Sequence, residues 1–309
     1  MCELLYGCPR EDFCVADKLM IHPTKELLGK WRRLRAQYGF RRSPVRTVSR
    51  LILWGVTCSC RRTATARLTR WDLQVLLPAK WRGIGKLVFA FRECYEPELE
   101  YLRSLLCPGA TFVDVGANLG IYTLVASRIV GPSGRVIACE PSVQSFPLLQ
   151  RNITLNSLTN VTAFPVALSE KAGRVPLYHA GSCSSGNSLG YHPSFPGSFE
   201  TVLAESLDDV LQRIPAGRVD VIKMDVQGAE ELVLRGAQKT LASKNPAIIF
   251  EFYPEGADLL GLSPSGAWNL LEGLGYEFFT VCSAGSISRI ESPPIESMYA
   301  NVVAIHRGV

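Results

Sequence analysis

The chain has 309 residues, of which 47% are hydrophobic and 20% are charged, and these ordinary proportions exclude a chain that is disordered throughout. Its net charge of +5 hides an asymmetry, because residues 1–92 carry 19 Lys and Arg against 6 Asp and Glu, and residues 93–309 carry 14 against 22. We therefore predict a basic, mainly helical N-terminal extension over 1–92 and a separate domain over 93–309. A basic arm on an acidic body fits an anionic partner, such as membrane headgroups, a phosphorylated substrate or nucleic acid. It fits equally well a solvated basic face that has no partner.

Helical patterns in the extension cover residues 24–37 and 45–57, and prolines divide the segment into pieces. The apolar run 51–58 is far shorter than the ~20 residues that span a bilayer. Arginines flank this run on both sides. It fits an interfacial helix on an anionic membrane, or a basic helix packed on the body by its apolar side, and we favour the second interpretation.

The ten cysteines include no C-x-x-C pair, and the histidines do not follow zinc-finger spacing. We therefore expect reduced cysteines and no metal site. The first residues lack the basic and then apolar pattern of a secretory signal. The expected location is cytoplasmic, with peripheral membrane contact through the basic arm left open.

From residue 93 onwards, apolar strands alternate with helices. Strands are predicted at 111–115, 135–140, 161–168, 219–225, 247–252, 276–282 and 301–306, and the main helices at 119–130, 142–156, 206–213, 229–243 and 265–274. This alternation predicts an α/β fold, with a mostly parallel seven-stranded sheet and helices on both faces. The last two strands have no helix between them and are expected to pair antiparallel. Two short strands, 174–178 and 199–202, enclose a Gly/Ser/Pro-rich insert of the kind that forms functional lids or disordered loops.

The first motif that indicates chemistry is Asp114-Val-Gly-Ala-Asn-Leu-Gly120, between a strand and a helix. Its glycines let the backbone approach a ligand closely. The order D-x-G-x-x-x-G differs from the G-x-G-x-x-G of dinucleotide enzymes. A leading Asp disfavours a pyrophosphate and suits a ligand with an ammonium group.

Two further acidic motifs follow at strand ends. Glu140 lies 20 residues after Gly120, where an acidic side chain accepts hydrogen bonds from ribose hydroxyls. Asp225 ends a later strand, and Glu230 opens the helix after it. Ligands of open α/β sheets bind outside the carboxyl ends of the strands. One rim is expected to gather Asp114, Glu140, Ala167, Asp225 and Glu251.

Residues from about Glu98 to His306 resemble the FkbM family of class I S-adenosylmethionine-dependent methyltransferases. The resemblance is carried by 112–123 (Phe-Val-Asp-Val-Gly-Ala-Asn-Leu-Gly-Ile-Tyr-Thr), 136–141, 149–156, 206–209, 222–230 and 249–251. It implies a Rossmann-like class I methyltransferase fold with S-adenosyl-L-methionine as the cofactor. It does not cover the extension.

The resemblance also implies roles for single residues. The methionine end of the cofactor would be lined by Asp114, Gly116 and Asn118, with Gly120, Tyr122 and Thr123 in the same cofactor-binding segment. Glu140 would hold the ribose and Ala167 would flank the adenine. Asp225 is a candidate for both cofactor and substrate contact. Gln227 stands where the family usually has Glu, which puts a carboxylate role at that position in doubt.

The implied reaction is O-methylation of a hydroxyl group on a sugar, a glycolipid or a natural product. Such an acceptor needs a base, and the candidates are Asp225, Glu251, His179 and His192. The main alternative is a non-catalytic protein that keeps the fold for binding. A dehydrogenase is a weaker alternative. A nucleic-acid methyltransferase is another, and no N-P-P-Y-like base-flipping signature occurs near the fourth strand.

Overall fold

The computed structural model describes residues 31–32, 34–35, 37–60, 63–81, 83–179, 186–191, 198–214, 217–282, 285–295 and 299–308. Most of the predicted helix 24–37 and the candidate base His192 lie outside the described residues. Among the residues that are described, no helix is both long and apolar enough to cross a membrane.

The described part of the extension contains both helices and a hairpin. Its elements are α1 (Tyr38–Arg42), α2 (Pro44–Ser59), β1 (Thr63–Leu68), β2 (Leu73–Pro78) and α3 (Ile84–Phe91). The predicted helix 45–57 falls within α2. The antiparallel hairpin β1–β2 differs from the mainly helical expectation. Exposed and buried residues alternate strictly along β1, which is the period of a strand packed on one face.

The elements of the domain follow the predicted alternation. They are α4 (Glu98–Leu105), β3 (Thr111–Val115), α5 (Ile121–Val130), β4 (Arg135–Cys139), α6 (Phe146–Leu155), β5 (Val161–Phe164), β6 (Ala167–Leu168), β7 (Gly173–Tyr178), β8 (Phe199–Glu205), α7 (Leu207–Gln212), β9 (Val221–Met224), α8 (Glu230–Arg235), α9 (Gln238–Lys244), β10 (Ala247–Phe252), α10 (Pro254–Leu259), α11 (Gly266–Gly273), β11 (Tyr276–Val281), β12 (Ile287–Ile290) and β13 (Ala300–His306).

The main sheet has the strand order β12-β11-β13-β10-β9-β3-β4-β5. Strands β5, β4, β3, β9 and β10 are parallel, and β13 pairs antiparallel with both β10 and β11. The expected antiparallel pairing of the last predicted strands is therefore present. The described sheet has eight strands rather than seven, because the short β12 in the Ser/Pro-rich segment joins the edge of β11.

Smaller differences from the predicted elements have local causes. The predicted strand 161–168 ends at Phe164, and Ala167–Leu168 joins a second sheet of order β6-β8-β7. Pro165 lies between the two parts and has no N–H to continue a ladder. The predicted helix 229–243 is divided into α8 and α9 near Gly236, where a Cβ atom would lie 2.1 Å from the carbonyl oxygen of Ser169.

Two hydrophobic clusters pack on opposite faces of the main sheet. Successive residues of β3 point to opposite faces, so Phe112 joins one cluster and Val113 and Val115 join the other. The first cluster also contains Trp54 and the buried residues of the hairpin. The extension therefore shares a core with the sheet, and it also has a small cluster of its own around Phe40, Ala90 and Phe91.

The hairpin edge is held by two asparagine side chains of the α6 region. Asn152 Oδ1 accepts from the Leu76 N–H at 2.7 Å and Asn152 Nδ2 donates to the Leu76 carbonyl at 3.3 Å. Asn156 does the same for Gln74, at 2.7 Å in each direction. Two amides thus replace a neighbouring strand at the edge of β2. A second bond from Asn152 Nδ2 reaches the carbonyl of Leu119 at 2.9 Å.

Candidate functional site

A cleft opens at the carboxyl ends of the parallel strands, where the chain leaves β3 and β9 in opposite directions. Such a switch point is the usual ligand site of an open α/β sheet. The cleft has a volume of about 570 Å³, part of which is open to solvent. It is lined by Gly116, Asn118, Glu140, Pro141, Val166, Ala167, Leu168, Leu177, Asn187, Leu189, Asp225, Val226 and Gln227.

The loop between β3 and α5 forms the floor of this cleft. Gly116 has a φ of +75°, and a Cβ atom there would lie 2.0 Å from the carbonyl oxygen of Asp225. Only glycine therefore fits where the ends of β3 and β9 meet. Gly120 has a φ of +86°, and its Cβ atom would lie 2.5 Å from Leu149 of α6. The two glycines let the loop pack tightly against β9 and α6.

Glu140 is buried at the end of β4 and orders the same loop. Its Oε2 accepts from the Asn118 N–H at 2.7 Å, and its Oε1 accepts from the Ser142 N–H at 2.9 Å. Burial raises the pKa of Glu140 to about 7, although both backbone hydrogen bonds oppose that rise. Each carboxylate oxygen keeps a further lone pair for a ligand hydroxyl.

Asp114 lies behind the cleft wall rather than in it. It is fully buried, and the Thr123 hydroxyl donates to its Oδ2 at 2.5 Å. Burial raises the pKa of Asp114, and the neighbouring Lys223 opposes this rise. Among the described residues, Asp114 Oδ1 and Asn118 Oδ1 are buried without a hydrogen-bond partner. The predicted residues Gly120, Tyr122 and Thr123 are likewise not among those that line the cleft.

A buried lysine, which no sequence motif marks as a site residue, connects Asp225 to Tyr122 and Glu96. Lys223 Nζ lies 3.2 Å from Asp225 Oδ2 and 4.9 Å from the centre of the Tyr122 ring. The Tyr122 hydroxyl donates to Glu96 Oε2 at 2.5 Å. Burial alone lowers the pKa of Lys223, but the carboxylates of Asp225, Asp114 and Glu96 outweigh it and raise the pKa.

Gln227 bridges the two predicted acidic residues Asp225 and Glu251. Its Nε2 donates to Asp225 Oδ1 at 2.9 Å and to Glu251 Oε2 at 2.5 Å. The residue has a φ of +55°, which is unusual for a side chain larger than glycine. Burial, and then the charges of Asp225 and Glu230, raise the pKa of Glu251 well above its ordinary value. Glu230 itself accepts from the Val226 N–H at 3.0 Å.

The wall opposite the loop comes from the insert and the small sheet. Leu177 of β7 and Leu189 line the cleft beside Val166, Ala167 and Leu168, and they pack in one cluster with Ala167. The Ser188 hydroxyl donates to the Gln227 carbonyl at 3.0 Å and holds this wall to the rim. Leu189 could not be found from local pattern, because the chain on both sides of it is rich in Gly, Ser and Pro. Leu177 lies in the predicted strand 174–178, but no local pattern placed that strand at the cleft.

The candidate base His179 is engaged outside the cleft wall. Its Nε2 lies 3.6 Å from Glu200 Oε1, and the Val143 N–H donates to the same carboxylate. Among the residues that the structure describes, no group of three or more His, Cys, Asp or Glu side chains is arranged to hold a metal ion.

Comparison with known proteins identifies the family of the chain. A family model described as "Methyltransferase FkbM domain" matches residues 114–278, more than half of the chain. The methyltransferase sdnD of Sordaria araneosa is 31% identical over 193 residues, which cover 49% of this chain and 69% of that protein. The 31-O-demethyl-FK506 methyltransferase FkbM of Streptomyces tacrolimicus is 26% identical over 188 residues, which cover 50% and 70%.

A crystal structure of the methyltransferase FkbM from Methylobacillus flagellatus KT superposes with a TM-score of 0.41 and 17% identity, over 72% of this chain and 53% of that one. The sheet order and the cleft at its switch point are those of a class I methyltransferase, so the expected fold class is confirmed. The chain belongs to the FkbM methyltransferase family. Its expected cofactor, S-adenosylmethionine, is thereby confirmed.

The residues of the cleft fit this cofactor. Gly116 lines the cleft, and its lack of a side chain lets the backbone of the loop lie against that of Asp225. Asn118 Oδ1 has no partner among the described residues and can accept from an ammonium group. The apolar side chains of Val166, Leu177 and Leu189 suit a flat base, and Glu140 suits a ribose.

Proposed function

We propose that this methyltransferase transfers a methyl group to a hydroxyl oxygen of a sugar, a glycolipid or another natural product. We assign the enzyme domain to residues 93–309, with residues 1–92 as an extension packed on it. When it is bound, S-adenosylmethionine supplies an electrophilic methyl group on a sulfonium centre. The remaining requirement is to align an acceptor oxygen with that methyl group and to remove its proton.

The cofactor would be held by residues of three strand ends. Gly116 and Asn118 would contact the methionine end, Glu140 the ribose hydroxyls, and Ala167 the adenine. Asp114 and Thr123 would act from behind the loop, since they bond to each other at 2.5 Å. Gly120 and Tyr122 would hold the loop against α6 and Glu96. Asp225, on the wall of the same cleft, would lie between cofactor and acceptor.

The observation that supports O-methylation is the paired carboxylates of Asp225 and Glu251, bridged by Gln227. An alcohol keeps its proton at neutral pH, so its transfer needs a base whose pKa has been raised towards neutrality. Burial and the neighbouring charges of Asp225 and Glu230 raise the pKa of Glu251 well above its ordinary value. We assign Glu251 as the general base and Asp225, which pairs with Lys223 at 3.2 Å, as the group that orients the acceptor hydroxyl. Gln227 donates to both carboxylates and fixes their separation.

Calorimetry with S-adenosylhomocysteine tests the cofactor assignment, and tight binding to the wild-type protein is expected. The acceptor is then sought by incubating the protein with extracts of metabolites and lipids and with S-adenosylmethionine. The expected signal is a gain of about 14 Da per methyl group in one compound. Glu251→Gln should lower its turnover by about 10²–10⁴-fold. Glu272→Gln, at an exposed position of α11, is the matched control and should leave turnover unchanged.

The possible results separate this proposal from the alternatives. Binding of S-adenosylhomocysteine without a methylated product from any extract would favour a non-catalytic binding protein. A product methylated on nitrogen or carbon would contradict O-methylation and leave the family assignment intact. An undiminished turnover in Glu251→Gln would remove Glu251 as the base.

A further inference from the structure

Helix α2 exposes an apolar face that no described residue covers. Val45, Ile52, Leu53 and Val56 are 81%, 66%, 54% and 56% exposed. At 100° per residue these four positions fall within one third of the helix circumference. The other face of the same helix is buried against the domain through Thr47, Trp54 and Cys58. The helix is therefore apolar on two opposite sides, which folding of this chain alone does not require.

An exposed tryptophan extends this surface. Trp81 is 62% exposed, and a methyl group at Gly55 of α2 would lie 3.7 Å from its ring. Its indole therefore stands beside the last two turns of the helix. Tryptophan has an apolar body and a polar N–H, and it is enriched where protein meets the membrane–water boundary. We call the outer faces of Val45, Ile52, Leu53, Val56 and Trp81 the α2 surface.

Cationic side chains surround the α2 surface. Arg41 and Arg46 lie at its N-terminal end and Lys80 lies next to Trp81, and all three are exposed. Among the described residues, none of the three forms an ion pair. By sequence, residues 1–92 carry 13 more basic than acidic groups, whereas residues 93–309 carry 8 more acidic than basic groups. The positive charge of the sequence is thus concentrated in the segment that contains α2.

We propose that the α2 surface lies on an anionic lipid bilayer, with the helix parallel to the membrane plane. Aliphatic and Trp side chains would enter the boundary between headgroups and acyl chains, and the arginines would meet lipid phosphates. A second copy of the chain is a poorer occupant, because two basic surfaces repel each other. The inner face of α2 packs on the body and the outer face is free for lipid. The two interpretations of residues 51–58, a helix packed on the body and an interfacial helix, are therefore compatible.

The proposal is tested by sedimentation of the full chain with vesicles, and no methyl transfer is required. Vesicles of phosphatidylcholine alone are compared with vesicles of phosphatidylcholine and phosphatidylserine. The wild-type protein should sediment with the anionic vesicles, more weakly as salt is added. Ile52→Glu with Val56→Glu should reduce this binding by at least about tenfold. Leu274→Glu with Ile295→Glu, at exposed apolar positions elsewhere, is the matched control and should bind as the wild type does.

Charge and the tryptophan are tested separately. Arg41→Gln with Arg46→Gln should weaken binding to anionic vesicles, whereas Arg103→Gln with Arg151→Gln, at exposed positions of the body, should not. Tryptophan emission should shift to shorter wavelength on anionic vesicles, and Trp81→Phe should remove most of this shift. An unchanged melting temperature and unchanged S-adenosylhomocysteine binding show that each variant is folded. If the Ile52→Glu, Val56→Glu pair unfolds, the Arg41→Gln, Arg46→Gln pair and Trp81→Phe test the membrane proposal in its place.

Three results would overturn the proposal. The first is a wild-type protein that binds neither kind of vesicle. The second is equal binding by the α2-surface variants and their controls. The third is concentration-dependent dimerisation that the Ile52→Glu, Val56→Glu pair abolishes without any vesicle binding, which would make the surface a contact between copies.

Discussion

The side-chain amide of Gln227 donates to the Glu251 carboxylate across 2.5 Å. The same amide nitrogen donates to Asp225 at 2.9 Å, so one neutral donor separates two carboxylates, of which Asp225 lines the cleft and Glu251 lies behind Gln227, outside the lining residues. Proteins of the resembled family usually have Glu at this position. A glutamate here would place three carboxylates where this chain has two, which changes the electrostatics of the site more than its shape.

We therefore expect Gln227→Glu to be destabilising in a pH-dependent way. A third carboxylate lacks the N–H groups of the amide and repels its two neighbours, unless it keeps a proton or binds a cation. The melting temperature should fall below that of the wild type by more at pH 8 than at pH 5, and at the higher pH the free energy of unfolding should be lower by about 1–3 kcal/mol. Mn²⁺ should raise the melting temperature of the variant and leave that of the wild type unchanged.

Gln227→Met is the matched control for this prediction, because it removes the hydrogen bonds without adding charge. It should be destabilised equally at both pH values and should not respond to Mn²⁺. A wild-type protein that Mn²⁺ stabilises as strongly as the variant would contradict the proposed role of the amide.

Cofactor binding should depend on pH through Glu140. Its pKa is raised to about 7 in the free protein, mainly by burial, and hydrogen bonds from ribose hydroxyls favour the ionised form. Binding then releases a proton below the pKa of the free group and none above it. The affinity for S-adenosylhomocysteine should therefore rise by up to about tenfold from pH 6 to pH 8. Calorimetry over this range measures the affinity and the proton release together.

Glu140→Gln should bind S-adenosylhomocysteine more weakly and with a flat pH profile. Glu230→Gln is the control, since burial raises its pKa to about 7 as well but Glu230 does not line the cleft. The control should keep the pH dependence of the wild type. A flat profile in the wild-type protein would show that Glu140 does not hold the ribose.

The sequence was sufficient for the parts of the site that depend on local rules. A strand, a glycine-rich turn and a helix follow each other closely in the chain, so Gly116, Asn118 and Glu140 could be placed at one rim. The roles of Lys223 and Glu96 could not be foreseen, since Glu96 meets Tyr122 from a segment that precedes the whole sheet. The hairpin β1–β2 was missed for a similar reason, because its edge is held by Asn152 and Asn156, about 80 residues further along the chain.

Stability should respond to pH through Glu98, which is buried with Oε2 unpaired among the described residues. Burial, followed by the charge of Glu96, raises its pKa to about 8 from an ordinary 4.5. Below pH 4.5 both the folded and the unfolded chain hold this proton. As the pH rises from 4.5 towards 8, the unfolded chain loses the Glu98 proton while the folded chain still holds it. The free energy of unfolding therefore falls, by roughly 3–5 kcal/mol once the pH is above 8.

Glu98→Gln removes this penalty, so the variant should melt above the wild type at pH 9 and close to it at pH 5. Glu272→Gln, on the exposed face of α11, should match the wild type at both pH values. A Glu98→Gln variant that is less stable than the wild type at pH 9 would show that the carboxylate is compensated in the folded protein.

The two asparagines that hold the hairpin should differ in their effect on cofactor binding. Asn152 bonds to both backbone groups of Leu76 and also to the Leu119 carbonyl in the loop that forms the cleft floor. Asn156 bonds to Gln74 and to its own helix, and no bond to that loop is found among the described residues.

Either alanine substitution leaves two backbone groups of β2 unpaired and should cost about 2–4 kcal/mol of unfolding free energy. Only Asn152→Ala should also weaken S-adenosylhomocysteine binding, by about tenfold, because it frees the Leu119 carbonyl and loosens the loop. Chemical unfolding and calorimetry on both variants check the two effects, and equal loss of affinity in both would mean that hairpin docking alone controls the cleft.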